Sequence, residues 1–226
     1  MRTLADCDGA SAHSTLLVFL PPAMTTVEDI VERGFIAAVR ARNIAADIVL
    51  AEITHAHVMQ QRGTDTLRDT VIAPALARGY RQIWLAGISL GAFNALHYAA
   101  QFAEDVTGLC LLAPYPGTGD ILREIEQAGG PAAWAETPGR SLDDERVWWH
   151  WLWQQSHAGR AAKPVCVGLS ADDRFLRGQQ MLASLIPAEH IDIIPGAHDW
   201  PAWIDLWHRW LDGGWLDQNS LNGGRL

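Results

Sequence analysis

A five-residue turn motif constrains this chain more than any other feature. Gly87, Ser89 and Gly91 form the pattern G-x-S-x-G. The apolar run 81–86 before it predicts a buried strand, and the alanine-rich segment 92–100 after it predicts a helix. Small residues on both sides of Ser89 favour a tight, strained turn that lifts the hydroxyl above the sheet, at the positive end of the helix. The motif predicts a nucleophile at Ser89, although a helix-capping serine in a glycine-rich turn would leave the same pattern.

Composition limits the partners that the chain can have. The 226 residues carry a formal net charge of −9 and include a single lysine, Lys163. We therefore expect neither nucleic acid nor a membrane surface as a partner, and oligomeric state stays open. Apolar runs are too short to span a bilayer, and the N-terminus lacks the pattern of a signal peptide. Cys7, Cys110 and Cys166 show no metal or redox spacing, so we expect a cytoplasmic protein.

Strand-like and helix-like segments alternate along the chain. Strands are predicted at 15–20, 47–53, 82–86, 106–113, 164–169 and 190–194, and helices at 27–42, 65–78, 92–100, 176–186 and 200–211. Thr25 or Thr26 should cap the first helix, and Pro74 should kink or interrupt the second. Near-continuous aliphatic strands, each followed by a helix, predict an α/β fold with a mostly parallel sheet covered on both faces. An edge strand within 1–14 is a weaker expectation.

One interval breaks this alternation. Between 113 and 164 no strand is predicted, whereas 119–128 and 142–157 have helical patterns. Because the interval follows a strand of the parallel sheet, it should emerge above the carboxyl ends of the strands, where ligands bind in such sheets. We expect one domain, 1–226, with a small helical lid at about 116–162. A helical pair that only covers exposed sheet is the alternative.

Tryptophan is concentrated in this insertion. Five of the eleven tryptophans fall between positions 134 and 153. The run 148–153 cannot place every indole on one face of a helix, so some should face the core and others a pocket or solvent. Trp149 and Trp153 are candidate substrate contacts, as is Tyr115 just beyond the fourth predicted strand; packing of the lid is the competing interpretation.

A serine hydroxyl needs a base, and His198 is the best placed of the nine histidines. It lies between the last predicted strand and the last helix, at the same edge of the sheet as Ser89. His55 and His57 follow the second strand and could line a pocket, but no third or fourth ligand suggests a metal site. Asp172 or Asp173, after the fifth strand, could orient the base; adjacent residues point different ways, so only one can serve.

These segments resemble the α/β-hydrolase superfamily, most closely its small bacterial serine esterases. The resemblance covers about 16–211, nearly the whole chain. It rests on the G-I-S-L-G turn at 87–91, the S-A-D-D-R-F loop at 170–175 and the G-A-H-D-W-P loop at 196–201. The order of serine, aspartate and histidine along the chain is that of this superfamily.

The resemblance implies a catalytic triad of Ser89, Asp173 and His198. In the superfamily the acid loop often reads Gly-x-x-Asp followed by Arg or Pro. That pattern puts Ser170 at the glycine position and Asp173 at the acid, with Asp172 as the alternative.

The resemblance also implies an oxyanion hole made of two backbone N–H groups. Leu90, directly after the nucleophile, should supply one. The second should come from the loop after the first predicted strand, which often begins His-Gly in the superfamily. Here Pro21 and Pro22 stand in those places and cannot donate, so Ala23 is the expected donor and Met24 the alternative. Met24 is also a candidate substrate contact.

The implied reaction is hydrolysis of a small, hydrophobic carboxylic ester through an acyl-enzyme, with no metal or organic cofactor. An acyl-thioesterase or acyl-carrier hydrolase is the alternative enzyme. A non-catalytic binding protein on the same scaffold is the alternative outside enzymes, because a fold alone does not prove activity.

Overall fold

One mixed sheet forms the centre of the molecule. The computed structural model describes residues 1–7, 13–53, 62–139, 141–159 and 162–216. Its seven strands are β1 (Arg2–Asp6), β2 (Thr15–Leu20), β3 (Asp47–Glu52), β4 (Gln82–Ile88), β5 (Gly108–Leu112), β6 (Val165–Ser170) and β7 (Ile191–Ile194). They lie in the order β1-β3-β2-β4-β5-β6-β7. Only β1 runs antiparallel, paired with β3 at the edge, and the remaining neighbours are parallel.

Helices connect the parallel strands. Those in the described residues are α1 (Val27–Glu32), α2 (Phe35–Arg40), α3 (Gly63–Leu67), α4 (Ala73–Ala77), α5 (Leu90–Gln101), α6 (Gly119–Gln127), α7 (Pro131–Ala135), α8 (Arg146–His157), α9 (Leu176–Ala183) and α10 (Trp200–Asp212). A π-helical turn, Arg68–Ile72, joins α3 to α4, and 3-10 turns lie at Ala103–Asp105 and Ala188–His190.

The sheet separates two hydrophobic cores, because successive side chains of a strand point to opposite faces. On β2, Leu16 and Val18 enter one core and Leu17 and Phe19 the other. The first core contains residues of α5 and of the insertion between β5 and β6. The second contains residues of α1, α2 and α10. This arrangement confirms the predicted α/β class with helices on both faces.

The first predicted helix is broken in two. Thr26 is its N-cap, as expected, and forms a capping box with Asp29. The helix then ends at Arg33, because Gly34 has a φ of 87° and its left-handed backbone starts a second helix at a new angle. The expectation of one helix over 27–42 was therefore wrong at Gly34.

The second predicted helix, 65–78, is irregular next to Pro74, as the sequence predicted. Pro74 has no N–H to donate, and the turn before it widens into the π-helical segment, in which the N–H of Ala73 bonds to the carbonyl of Arg68. Gly79, with a φ of 100°, follows the end of this helix.

The insertion between β5 and β6 packs against α5, the helix that begins after Ser89. Its helix α8 contacts α5, and Trp148 and Trp149 are fully buried in the first core. Its first residues also reach α9: a Cβ on Gly178 would lie 2.6 Å from Cγ of Pro116. The insertion therefore contacts both α5 and α9.

Candidate active site

The backbone at Ser89 is strained, and the flanking glycines make this geometry possible. Ser89 joins β4 to α5 with a φ of 52° and a ψ of −112°, and its N–H donates to the carbonyl of Leu112 at 2.9 Å. A Cβ on Gly87 would lie 2.4 Å from the backbone carbon of Gly91. A Cβ on Gly91 would lie 2.0 Å from the carbonyl oxygen of Leu20. Any side chain at either position would therefore force the turn apart.

The Ser89 hydroxyl faces a histidine. Ser89 occupies the N-cap position of α5, yet its side chain makes no capping hydrogen bond. Its Oγ lies 2.9 Å from Nε2 of His198, which comes from the loop between β7 and α10. The rings of Phe175 and Trp203 pack edge-on against the imidazole, each with a centroid distance of 5.0 Å. These contacts hold the ring in one plane, with Nε2 directed at the serine.

Asp173 lies behind the histidine. Nδ1 of His198 is 2.7 Å from Oδ2 of Asp173, whose side chain has no exposed surface. With Nδ1 next to a carboxylate, its proton belongs on Nδ1, and Nε2 is left to accept from Ser89. Asp172 is exposed, and its backbone N–H donates to the carbonyl of Gly196. Of the two aspartates that the sequence left open, Asp173 is the one that contacts the imidazole.

The charge on Asp173 is stabilised by three donors. Burial is the largest influence and raises its pKa. Hydrogen bonds from His198, from the N–H of Phe175 at 2.8 Å and from Nε2 of Gln179 at 3.0 Å outweigh burial, so the pKa of Asp173 lies below its ordinary value. The carboxylate is therefore ionised wherever the protein is near neutral pH.

The expected oxyanion donors lie on two segments that touch. Leu90 is the first residue of α5, where an N–H has no acceptor within the helix. The close approach of Gly91 to Leu20 places the loop after β2 beside this helix terminus. In that loop Ala23 and Met24 form a turn, and Met24 is fully exposed with a φ of 58°.

Half-buried aromatic rings continue from the histidine toward the insertion. Phe175 packs edge-on against Tyr115 at 5.3 Å, and Tyr115 packs against Phe93 at 5.7 Å. The N–H of Tyr115 also donates to the carbonyl of Ser89 at 3.1 Å. Phe93 in turn meets Trp148 at 5.9 Å. Tyr115 thus lies beside the nucleophile, and its role as a substrate contact stays a prediction.

The structure places Trp149 and Trp153 away from the three polar residues. Trp149 is fully buried and stacks on Trp148 at 4.7 Å, because α8 packs this face against α5. Trp153 lines a cavity of about 410 Å³ formed by the insertion itself, whose lining residues include neither Ser89 nor His198. Neither residue is therefore placed beside Ser89 or His198, in contrast to the expectation that both contact the substrate.

Two neighbours of the site carried no signal in the sequence. Phe93 and Gln179 lie within ordinary helical segments, and nothing in their spacing distinguishes them. Phe175 belongs to the acid-loop motif at 170–175, but the motif did not indicate its contact with His198. His55 and His57 lie outside the described residues. Among the residues that the structure describes, no group of three histidine, cysteine or carboxylate side chains could hold a metal ion. No helix in the described part of the chain is long and apolar enough to cross a membrane.

Comparison with known proteins identifies the class of fold. No family model matches the sequence, and no curated protein matches it. Among solved structures, Est1E from Butyrivibrio proteoclasticus is similar with a TM-score of 0.65 at 14% identity, covering 96% of this chain and 94% of that one. A ferulic acid esterase has a TM-score of 0.59 at 16% identity, covering 86% and 81%. S-formylglutathione hydrolase FrmB from Staphylococcus aureus has a TM-score of 0.58 at 11% identity, covering 89% and 80%.

These likenesses, together with the seven-stranded sheet and the strained turn at Ser89, define an α/β-hydrolase fold. The fold class predicted from the sequence is confirmed.

Proposed function

We propose that this protein is a serine hydrolase that cleaves carboxylic esters of small, hydrophobic substrates through an acyl-enzyme. One observation carries the proposal: Ser89, His198 and Asp173 form a continuous hydrogen-bonded series with heavy-atom distances of 2.9 and 2.7 Å. That series is the arrangement that activates a serine hydroxyl near neutral pH. The solved structures with the same fold include proteins named as esterases, which agrees with this reaction class.

In the first half of the reaction, Oγ of Ser89 attacks the ester carbonyl carbon while Nε2 of His198 takes the hydroxyl proton. The resulting imidazolium is stabilised by the ionised Asp173, which accepts from Nδ1. His198 then gives its proton to the departing alkoxide, and the ester C–O bond breaks. The products of this half are a free alcohol and an acyl group on Ser89.

In the second half, His198 takes a proton from water, and the resulting hydroxide attacks the acyl carbonyl. Collapse of this second intermediate returns the proton to Oγ of Ser89 and releases the carboxylic acid. In both halves the negative charge on the carbonyl oxygen would be held by the N–H groups of Leu90 and Ala23. The positive end of α5 would add to that stabilisation. No step in this cycle needs a metal or an organic cofactor.

The acyl or alcohol group of the substrate would lie against the aromatic series that begins at Phe175. Tyr115 and Phe93 are half-buried next to Ser89, and we propose that exposed Met24, in the loop that should hold the oxyanion, also contacts the substrate. We propose that the insertion, about 116–162, closes this side of the pocket through the contact between Trp148 and Phe93. An apolar lining favours substrates with hydrophobic groups.

The experiment that tests the proposal is covalent labelling with a fluorophosphonate probe, combined with hydrolysis of p-nitrophenyl esters. The wild-type protein should be labelled at Ser89 and should turn over short esters, and Ser89→Ala should lose both. Ser184→Ala is the matched control, because Ser184 is an exposed serine whose hydroxyl bonds only to the carbonyl of Met181. A folded Ser89→Ala protein that keeps wild-type turnover would overturn the proposal.

The same geometry would attack a thioester carbonyl. Matched pairs of oxygen esters and thioesters with the same acyl group therefore belong in the assay, with acyl-CoA as the thioester of a bulky thiol. Higher kcat/KM for the oxygen esters supports the proposal, and a preference for thioesters would favour an acyl-thioesterase. A chain that binds these ligands without turnover or labelling would be a binding protein.

A further inference from the structure

We infer that Gln179 is a positioning residue that ties the acid of the site to the backbone of the nucleophile. This inference rests on the proposed function. Nε2 of Gln179 donates to Oδ2 of Asp173 at 3.0 Å and to the carbonyl of Pro114 at 3.2 Å. A primary amide has two N–H bonds, so it can serve both acceptors at once.

These two bonds close a ring around the site. Pro114 is followed by Tyr115, whose N–H donates to the carbonyl of Ser89 at 3.1 Å. Asp173 accepts from Nδ1 of His198, and Nε2 of His198 meets Oγ of Ser89. This closed series of hydrogen bonds therefore begins at the Ser89 hydroxyl and ends at the Ser89 carbonyl. Besides the three proposed catalytic side chains, Gln179 contributes a side chain to the series.

The orientation of the amide follows from its two partners. Both the carboxylate of Asp173 and the carbonyl of Pro114 are acceptors, so the amide oxygen cannot replace the nitrogen without facing two acceptors. Oε1 consequently points the other way, and it is buried without a hydrogen-bond partner among the described residues.

That unpartnered oxygen is a cost of placing a glutamine here. An apolar side chain would remove the oxygen, but it would also leave the Asp173 carboxylate and the Pro114 carbonyl one donor short. Gln179 is fully buried, so water does not replace the lost donor. The gain that offsets the cost is the pair of bonds that holds Asp173 at a fixed distance from the nucleophile.

The local fold brings Gln179 to this place. The neighbouring Gly178 has no side chain, and the segment at Pro116 fits into the space that a Cβ would occupy. This close approach brings the first turn of α9 against the segment 114–116. Gln179 then reaches the carbonyl of Pro114 and the acid loop together.

The experiment compares Gln179→Met with Gln180→Met. Methionine keeps the length of glutamine and removes both hydrogen bonds. Gln180 is the matched control, because it is the adjacent, exposed glutamine of the same helix. We expect Gln179→Met to lower kcat roughly 10- to 100-fold with little change in KM, since a misplaced base slows the chemical step. The melting temperature should fall by roughly 5–10 °C, because two buried hydrogen bonds are lost, and the protein should stay folded at the assay temperature. Gln180→Met should match the wild type.

A second readout separates positioning from packing. Loss of the donor Gln179 removes one of the contacts that lower the pKa of Asp173, so that pKa should rise toward its ordinary value. Because the proposed mechanism needs an ionised Asp173, the acid limb of kcat/KM should move to higher pH in Gln179→Met. The substitution leaves the neighbouring charged and titratable groups in place: Asp172 and Asp199 adjoin the acid and the histidine in the chain, and Tyr115 and Arg174 lie against the ring of Phe175.

Wild-type kcat in folded Gln179→Met would overturn the inference, as would a loss of activity that only follows a loss of folded protein. If Gln179→Met fails to fold, Gln179→Leu provides the same test with a branched side chain. The rate of fluorophosphonate labelling at Ser89 is measured in parallel, so that the result does not depend on the choice of ester. Failure of Ser89→Ala to abolish labelling would overturn the proposed function instead.

Discussion

The strain at Ser89 can be measured by replacing the serine with alanine and with glycine. Both variants lose the hydrogen bond from Oγ to His198, so they differ in the Cβ alone. A non-glycine residue at φ 52° and ψ −112° costs about 1–3 kcal/mol, whereas glycine occupies this region readily. Glycine also makes the unfolded chain more flexible, which offsets about 0.4–1 kcal/mol of that gain. Ser89→Gly should therefore be more stable than Ser89→Ala by about 1–2 kcal/mol, or roughly 2–8 °C in melting temperature.

The assay is thermal and urea unfolding of the two inactive variants under the same conditions. Ser184 supplies the control pair, because it is the C-cap of α9 and its backbone has an ordinary right-handed conformation, with a φ of −63° and a ψ of −14°. There Ser184→Gly should be less stable than Ser184→Ala, by about 0.5–1 kcal/mol. If the control pair behaves so and Ser89→Gly is no more stable than Ser89→Ala, then the turn is not strained and the reasoning fails.

Three further predictions concern the contacts of the site. Asp173→Asn should lower kcat by roughly 10³- to 10⁴-fold in a folded protein, because the new amide can donate to Nδ1 of His198 and hold the wrong tautomer. Ester hydrolysis measures kcat, and circular dichroism checks that the protein is folded. A wild-type kcat would contradict the role of Asp173 as the triad acid. Because the pKa of Asp173 is lowered in the folded protein, its ionised carboxylate stabilises the fold at pH values above its pKa in the unfolded chain. That stabilisation is lost as the pH falls through the pKa of Asp173 in the folded protein. In urea unfolding, Asp173→Asn should therefore lose less stability on acidification than the wild type. Gly91→Ala should abolish labelling of Ser89 and lower the melting temperature sharply, because the new Cβ would lie 2.0 Å from the carbonyl oxygen of Leu20. A Gly91→Ala protein that melts like the wild type and is still labelled would show that the loop after β2 can move aside.

The central strands were predictable from sequence because they are short, largely aliphatic and buried on both faces. β2, β4 and β6 read as continuous apolar runs, and their bounds differ from the expected ones by at most two residues. The turn at Ser89 was predictable because both glycines are required by close backbone approaches, that of Gly87 to Gly91 within the turn and that of Gly91 to Leu20 on the neighbouring strand. Where a pattern is dictated by local backbone geometry, the sequence contains the information.

Other features depended on contacts that a sequence does not display. Gly34 breaks a helix whose apolar periodicity continues across it, and only its left-handed backbone reveals the break. Trp149 and Trp153 lie one turn apart on α8, yet one is buried against α5 and the other lines a separate cavity. The choice between Asp172 and Asp173 depended on which side chain points inward, and adjacent loop residues give no local sign of that.

Gln179 is the sharpest case of this kind. Gln179 and Gln180 are identical neighbours in one helix, and one contacts Asp173 while the other faces solvent. Ser89 keeps a strained backbone and Gln179 keeps an unpartnered amide oxygen, so both lower the stability of the fold at the same ring of hydrogen bonds. Glycine at position 89 would relieve the strained backbone, but it would remove the proposed nucleophile. That two such costs meet at one site is the physical reason for locating the chemistry there, because a fixed geometry before the substrate arrives is what lowers the barrier of the chemical step.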